Sequence, residues 1–204
     1  MIAIIDYGVG NLFSLKSSLD SIGADAFITN DFSQIENADK IILPGVGAFG
    51  DASKKLFESG LCELLISEAK KNKPILGICL GMQLLLEKGY EYGEHKGLGL
   101  IPGEIRPISD VIPQNLKIPH IGWNSLKFKK PSKLFKYIND GDFVYFVHSY
   151  HGTNCEENTI ATSEYGAELT AAVENGNVYG CQFHPEKSGK VGLQILRAFC
   201  ETEG

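Results

Sequence analysis

A cysteine set between two glycines, Gly77-Ile78-Cys79-Leu80-Gly81, and a histidine two residues ahead of a glutamate, His184-Pro185-Glu186, are the residues of this 204-residue chain whose types and spacing point to chemistry. A deprotonated thiol attacks carbonyl carbon, an imidazole takes its proton, and a carboxylate orients the imidazole. In G-x-C-x-G the glycines remove the Cβ atoms that would collide where a strand turns sharply into a helix. The side chain between them then protrudes, as in a nucleophile elbow with sulfur in place of oxygen. The pattern alone is weak: 23 Gly and 5 Cys give roughly 0.06 chance occurrences in such a chain, and a small buried cysteine is the commoner fate.

The flanks strengthen it, since the apolar run "KPILGI" before Cys79 and the leucine-rich "LLLEKG" after it read as the strand and helix that an elbow joins. A helix N-terminus and a nearby imidazolium both favour the thiolate over a thiol of ordinary pKa, about 8.5. The N–H of Leu80, in the first helical turn, is free to meet an oxyanion formed by attack from Cys79. His184 and Glu186 fall two residues apart after the strand "VYGCQF", so in an extended segment they share a side, and Pro185 stiffens the link. "LPGVGAFGD", Leu43 to Asp51, is a strand end followed by a loop with glycines at 45, 47 and 50. It lacks a phosphate-binding lysine and the acidic residue of a dinucleotide fingerprint, and reads either as a plain turn or as a backbone that approaches a substrate. Its three glycines are expected to leave that backbone free to take more than one conformation.

The elements that position these residues alternate. "IAIID" is a strand, Leu12, Leu15, Leu19 and Ile22 recur at helical spacing, and Gly23 stops the helix. "ADAFIT" and "DKIILPG" read as strands, Asp51 to Asn72 as a helical segment, and "KPILGIC" as a strand again. The expectation is an α/β fold, a mostly parallel sheet with helices on both faces. After Gly97 the shorter runs "GLGLIPGEIRPI" and "IPHIGWNSLKF" read as hairpins or edge strands, adding an antiparallel portion. "DFVYFVHSY" and "LTAAVENGNVYGCQF" supply further strands, with a turn at Asn175-Gly176, and "GLQILRAFC" a closing helix.

With 43% hydrophobic and 22% charged residues, 1–204 is expected to form a single domain. The formal charge of −6 and the thin spread of basic residues argue against a nucleic-acid or anionic-membrane surface. Asp6 with no cation before Lys16 is unlike a secretory signal, no apolar run spans a bilayer, and the expected location is the cytoplasm. Cys62, Cys79, Cys155, Cys181 and Cys200 are odd in number with no C-x-x-C pair, so no zinc site is expected, and no other metal or cofactor.

Together "ILGICLGMQLLLE" and "QFHPEKS" resemble the triad (class I) glutamine amidotransferases, and "IIDYGVGNLFSLKSSL", "ILPGVGAFGDA", "PHIGWNSL" and "YFVHSYH" are similar to their subfamily of glutaminase subunits of imidazole glycerol phosphate synthases. The resemblance covers nearly the whole chain. It implies that L-glutamine forms a thioester with Cys79, that ammonia leaves, and that water activated by His184 releases glutamate. It places Gln83 beside the substrate, Val46 and Gly47 with Leu80 near the oxyanion, Glu91 at the substrate amino group, and Ser149 and Tyr150 at its carboxylate. Trp123, which on its own reads as a core aromatic, and "DYGVGN" would lie toward a partner, a (β/α)8-barrel cyclase subunit acting with this chain as a heterodimer in histidine biosynthesis. The segment departs from the family pattern in one place, where His151 stands at a usually aromatic position. Other readings remain open: a paralogous glutaminase feeding an acceptor such as an activated sugar, a catalytically silent regulatory subunit, or a cysteine hydrolase of peptides or γ-glutamyl compounds.

Overall fold

The structure, a computed structural model, describes residues 1–203. In its first half strands and helices alternate: β1 (Ile2–Ile5), α1 (Leu12–Ser21), β2 (Ala26–Thr29), α2 (Phe32–Asn37), β3 (Lys40–Leu43), α3 (Phe49–Glu58), α4 (Leu61–Lys70), β4 (Ile75–Ile78) and α5 (Leu80–Leu85). The second half is mostly strand: β5 (Lys88–Gly89), β6 (His95–Lys96), β7 (Glu104–Pro107), β8 (His120–Ser125), β9 (Lys127–Phe128), β10 (Phe143–His148), β11 (Tyr150–Thr153), β12 (Thr159–Glu164), β13 (Glu168–Asn175) and β14 (Val178–Cys181), closed by α6 (Gly189–Cys200).

The main sheet has the order β2-β1-β3-β4-β14-β13-β12-β9, parallel from β2 to β14 and antiparallel beyond. The central strands are buried on both faces, which is why they read as unbroken apolar runs rather than alternating ones. Ala3, Ile5, Ile41, Leu43 and Ile75 pack under α3, α4 and α5, whereas Ile2, Ile4, Ile42, Leu76 and Ile78 face the Leu15 and Leu19 side of α1 and the Ile195, Leu196 and Phe199 side of α6. The segment Asp51–Asn72 is two helices rather than one, broken where Gly60 takes a φ of 76° that stops α3 and starts α4. "GLGLIPGEIRPI" contributes β7 to a four-stranded sheet β11-β7-β5-β6, and β8 pairs with β10 as a separate ribbon. Asn175-Gly176 opens the tight β13–β14 turn, Asn175 pairing with Val178 and Gly176 at φ 59°. Among the described residues no helix is long and apolar enough to cross a membrane.

The turn from β4 into α5 shows why glycine is required on both sides of Cys79. A Cβ on Gly81 would lie 1.8 Å from the Leu43 carbonyl oxygen, and one on Gly77 would lie 2.7 Å from the Gly81 carbonyl and the Met82 nitrogen. Gly81→Ala is therefore expected to destabilise the fold by about 3 kcal/mol or more, or to prevent it. Gly141→Ala meets no atoms within 4 Å and has only its φ of 91° to oppose it, for about 1 kcal/mol. Urea unfolding of both variants checks the contrast, and equal midpoints would show that the elbow tolerates a methyl group.

Candidate active site

Cys79 stands at the carboxyl end of the central strand β4, with its backbone at φ 54° and ψ −110°. A residue with a Cβ rarely adopts this region, and holding it there costs on the order of 1–3 kcal/mol. The conformation is fixed from both sides: Cys79 N–H donates to the Cys181 carbonyl at 2.8 Å, and the Cys79 carbonyl accepts from Gln83 N–H at 3.1 Å. The sulfur thus leaves the sheet at the N-terminus of α5, into a cleft of about 350 Å³.

The next strand, β14, runs parallel to β4 in the register Cys181↔Ile78 and carries the chain on to His184. His184 and Glu186 do meet, with Nδ1 and Oε1 at 2.7 Å, but the segment is not the expected extended one. Pro185–Lys187 is a 3-10 turn: proline's fixed φ starts it, and Ser188 Oγ donates to the His184 carbonyl at 2.7 Å. The turn folds Glu186 under the ring. Nδ1 is thereby occupied by the carboxylate, and Nε2 is left for the sulfur. Burial by itself lowers an imidazole pKa; here the facing Cys79 sulfur and Glu186 carboxylate outweigh it and raise that of His184 to about 9. His148, which also lines the cleft, is pulled the other way, to about 3, chiefly by burial, so it is neutral and is no competing base. Burial likewise pushes up the thiols of Cys62, to about 11, and of Cys155, Cys181 and Cys200, which disfavours their thiolates.

The raised value belongs to the folded state, so its stabilisation is fully present below the ordinary 6.5 and is lost as pH rises through about 9. Urea midpoints are expected to fall across that window in the parent and to begin falling at lower pH in Cys79→Ala, which lacks one of the two groups holding the proton. Coincident profiles would mean that Cys79 does not hold the imidazolium.

Val46, Gly47, Cys79, Leu80, Gln83, Glu91, Ser149, Tyr150 and His184 all line this one cleft, while Glu186 lies behind His184 against a much smaller void. The loop after β3 reaches the elbow because Gly45 has no side chain: a Cβ there would meet Tyr7 Oη at 2.7 Å and Leu80 Cβ at 2.9 Å. Tyr7 Oη in turn donates to the Pro44 carbonyl at 2.8 Å. Glu91 Oε2 accepts from Phe49 N–H at 2.6 Å, so its charge sits at the N-terminus of α3. The chain changes sheets at Ser149, between β10 and β11, which turns Ser149 and Tyr150 toward the cleft. Gln83 is more buried than a purely substrate-facing residue, and its amide donates to Gln182 Oε1 at 3.0 Å. Trp123 is 52% exposed and packs edge-on to Tyr145, so it is not a core aromatic. His151 is buried, with neither ring nitrogen hydrogen-bonded.

Sequence reasoning missed Gln182, and it placed Tyr7, within "DYGVGN", toward a partner, whereas the Tyr7 ring is buried and its hydroxyl holds the Pro44 carbonyl. Gln182 did carry a signal, being a polar residue inside the apolar run "VYGCQF" two positions before His184.

This elbow, the histidine–glutamate pair behind it and the flanking sheet agree with the match of residues 3–202 to the model of the class-I glutamine amidotransferases, and the chain belongs to that family. It is 50% identical over 202 residues to the imidazole glycerol phosphate synthase subunit HisH of Caldanaerobacter subterraneus subsp. tengcongensis, covering 98% of each chain. It is 48% identical to that of Aquifex aeolicus, covering 96% of this chain and 94% of the other. Among solved structures, a crystal structure of a glutamine amidotransferase superposes with a TM-score of 0.76 at 18% identity, covering 98% of each chain. PurLQS from Thermotoga maritima gives 0.76 at 20% identity, covering 97% of this chain and 96% of the other; at these identities the likeness is one of fold.

Proposed function

We propose that this chain is the glutaminase subunit of an imidazole glycerol phosphate synthase, one amidotransferase domain that hydrolyses L-glutamine and passes ammonia to a (β/α)8-barrel cyclase subunit in a cytoplasmic heterodimer of histidine biosynthesis. The observation that carries the reading is that Cys79 and His184 face one cleft, with Glu186 behind the imidazole and bonded to its Nδ1. Cys79 Sγ gives its proton to His184 Nε2 and attacks the side-chain amide carbon of glutamine. The oxyanion that forms is met by the N–H of Leu80 and by the backbone at Val46 and Gly47. His184 returns the proton to the nitrogen, the C–N bond breaks, and ammonia leaves a thioester. Water, deprotonated by the same ring, then attacks the thioester and releases glutamate and the thiol. Glu91 receives the substrate ammonium, Ser149 and Tyr150 its carboxylate, and Gln83 flanks it.

Support for the partner comes from exposed apolar residues at the cleft mouth. Val46 is 43% exposed and lines the cleft with Lys187. Trp123 lies beside Tyr145, whose ring the Lys187 ammonium overlies at 6.0 Å. Ile121 is exposed on the same face of β8 as Trp123. Co-expression with a cyclase, followed by size analysis and an assay of glutamate and ammonia, tests the reading. Glutamate released with glutamine in a stable complex is the expected result; no release with or without the cyclase overturns it.

A further inference from the structure

We propose that Gln182 is a second side chain, beside His184, acting directly on the Cys79 sulfur: its side-chain N–H stabilises the thiolate, and its orientation is dictated by the Tyr150 carbonyl through Gln83. This inference deepens the hydrolytic reading above and rests on it.

Gln182 is completely buried, so both ends of its amide need partners. Oε1 accepts from Gln83 Nε2 at 3.0 Å, and Nε2 donates to Cys79 Sγ at 3.6 Å, an ordinary separation for a bond to sulfur. Which end faces the sulfur follows from the far end of the chain of contacts. Gln83 Nε2 also donates to the Tyr150 carbonyl at 3.4 Å, and a carbonyl only accepts. The same carbonyl accepts from His148 Nδ1 at 2.8 Å, and neutral His148 carries its proton there. Gln83 must therefore present its NH2 group, Gln182 must answer with Oε1, and the NH2 group of Gln182 is left pointing at Cys79. Reversing Gln182 would set its NH2 group against that of Gln83 and its oxygen against the sulfur. Reversing both would set the Gln83 oxygen against the Tyr150 carbonyl.

A thiol gains little from this donor, because neutral sulfur is a weak acceptor, whereas a thiolate makes a charge-assisted bond. Gln182 thus favours the state in which the Cys79 proton has moved to His184. The other titratable groups around the sulfur do not compete, since burial keeps the Tyr7 phenol and the Cys181 thiol protonated and neutral. Val147 offers only a carbonyl, 4.0 Å from the sulfur, which receives the thiol proton and not the thiolate. The chain also links the nucleophile to Tyr150, at the end of the cleft assigned to the substrate carboxylate, so movement of that strand reaches the sulfur through two amides.

The test is the rate of alkylation of Cys79 by iodoacetamide from pH 5 to pH 10, followed at the Cys79 peptide by mass spectrometry. The thiolate sulfur forms a bond to the methylene carbon as the carbon–iodine bond breaks, iodide leaves, and the thiol proton stays on His184 or passes to buffer. Gln182→Met keeps the volume and loses the donor; its profile is expected to shift up by about one pH unit, with kcat for glutamate release down about 10-fold and KM changed less. Gln182→Glu, which sets a carboxylate against the sulfur, is expected to shift further. In the parent, the side-chain amide resonance of Gln182 is expected to move when Cys79 is alkylated, a readout that needs no variant to fold. A folded Gln182→Met with the parental alkylation profile, or an amide resonance indifferent to alkylation, overturns the proposal. Alkylation needs no glutamine, so either result is separate from the parent's glutamate release, which tests the hydrolytic reading itself.

Discussion

Replacing Cys79 by alanine is expected to lower glutamate release by roughly 10⁴-fold or more while the chain stays folded. The reaction as derived needs a sulfur to form the thioester. Without it His184 and the backbone donors remain, but they have no bond-making partner, and what persists is substrate binding with weak activation of water. Folding is spared for a local reason. Alanine keeps the Cβ that the φ of 54° must already accommodate, and the bonds that set the elbow run through the backbone of residue 79. Replacing Cys62, Cys155, Cys181 or Cys200 singly with alanine is expected to leave turnover within a few fold, since none of the four lines the cleft. A coupled assay of glutamate with parallel urea unfolding reads both effects. Parental turnover in Cys79→Ala would remove the covalent mechanism.

The second large effect is expected from the partner. The cyclase, supplied with an analogue of its own substrate, should raise turnover by about 10²- to 10³-fold, the worth of one oxyanion donor. The structure narrows the place where that donor is gained. All three loop glycines were expected to be mobile, yet a Cβ on Gly45 would meet the Tyr7 hydroxyl and the elbow, and one on Gly50 would lie 2.6 Å from His95 Nε2. Those two are small because they are packed against. Gly47, at φ 97° with no atom within 4 Å of its Cβ position, and its exposed neighbour Val46 keep the freedom. Contact on Val46 is therefore the lever by which a bound subunit is expected to select one backbone conformation. Equal glutamate production by the chain alone and by the complex would make it an independent hydrolase.

The proposed triad was legible in sequence because each of its geometric requirements leaves a mark of its own. Gly77 and Gly81 are demanded by backbone contacts below 3 Å, and His-x-Glu brings its partners together even when the intervening backbone is a turn instead of a strand. The parallel core was legible because strands covered on both faces are continuously apolar. Other features lay in contacts that no local pattern records. The break at Gly60 was marked by a single glycine inside a convincing amphipathic run, and either a kink or a continuous helix was compatible with it. Trp123 reads on its own as a core residue but is a surface one because it lies with Ile121 on the outward face of the β8–β10 ribbon, whose other face carries Val144 and Phe146 into the core. Gln182 depends on Gln83 and Tyr150, 99 and 32 positions away, and those pairings exist only after the sheet has closed.

That closing order bears on when the thiol becomes dangerous. β4 is made early, but its neighbour on the far side from β3 is β14, about 100 residues later, and β14 must be laid between β4 and β13. Such long-range pairings form late, because their loop-closure entropy must be met first. Until then Cys79 has no Cys181 carbonyl to fix its backbone, no His184 to take its proton and no Gln182 to hold its charge. An unfinished chain emerging from the ribosome thus carries an ordinary thiol, slow toward electrophiles and oxidants. Reactivity arrives with the last strand, which makes a thiolate-selective reagent a clock for the completion of this sheet.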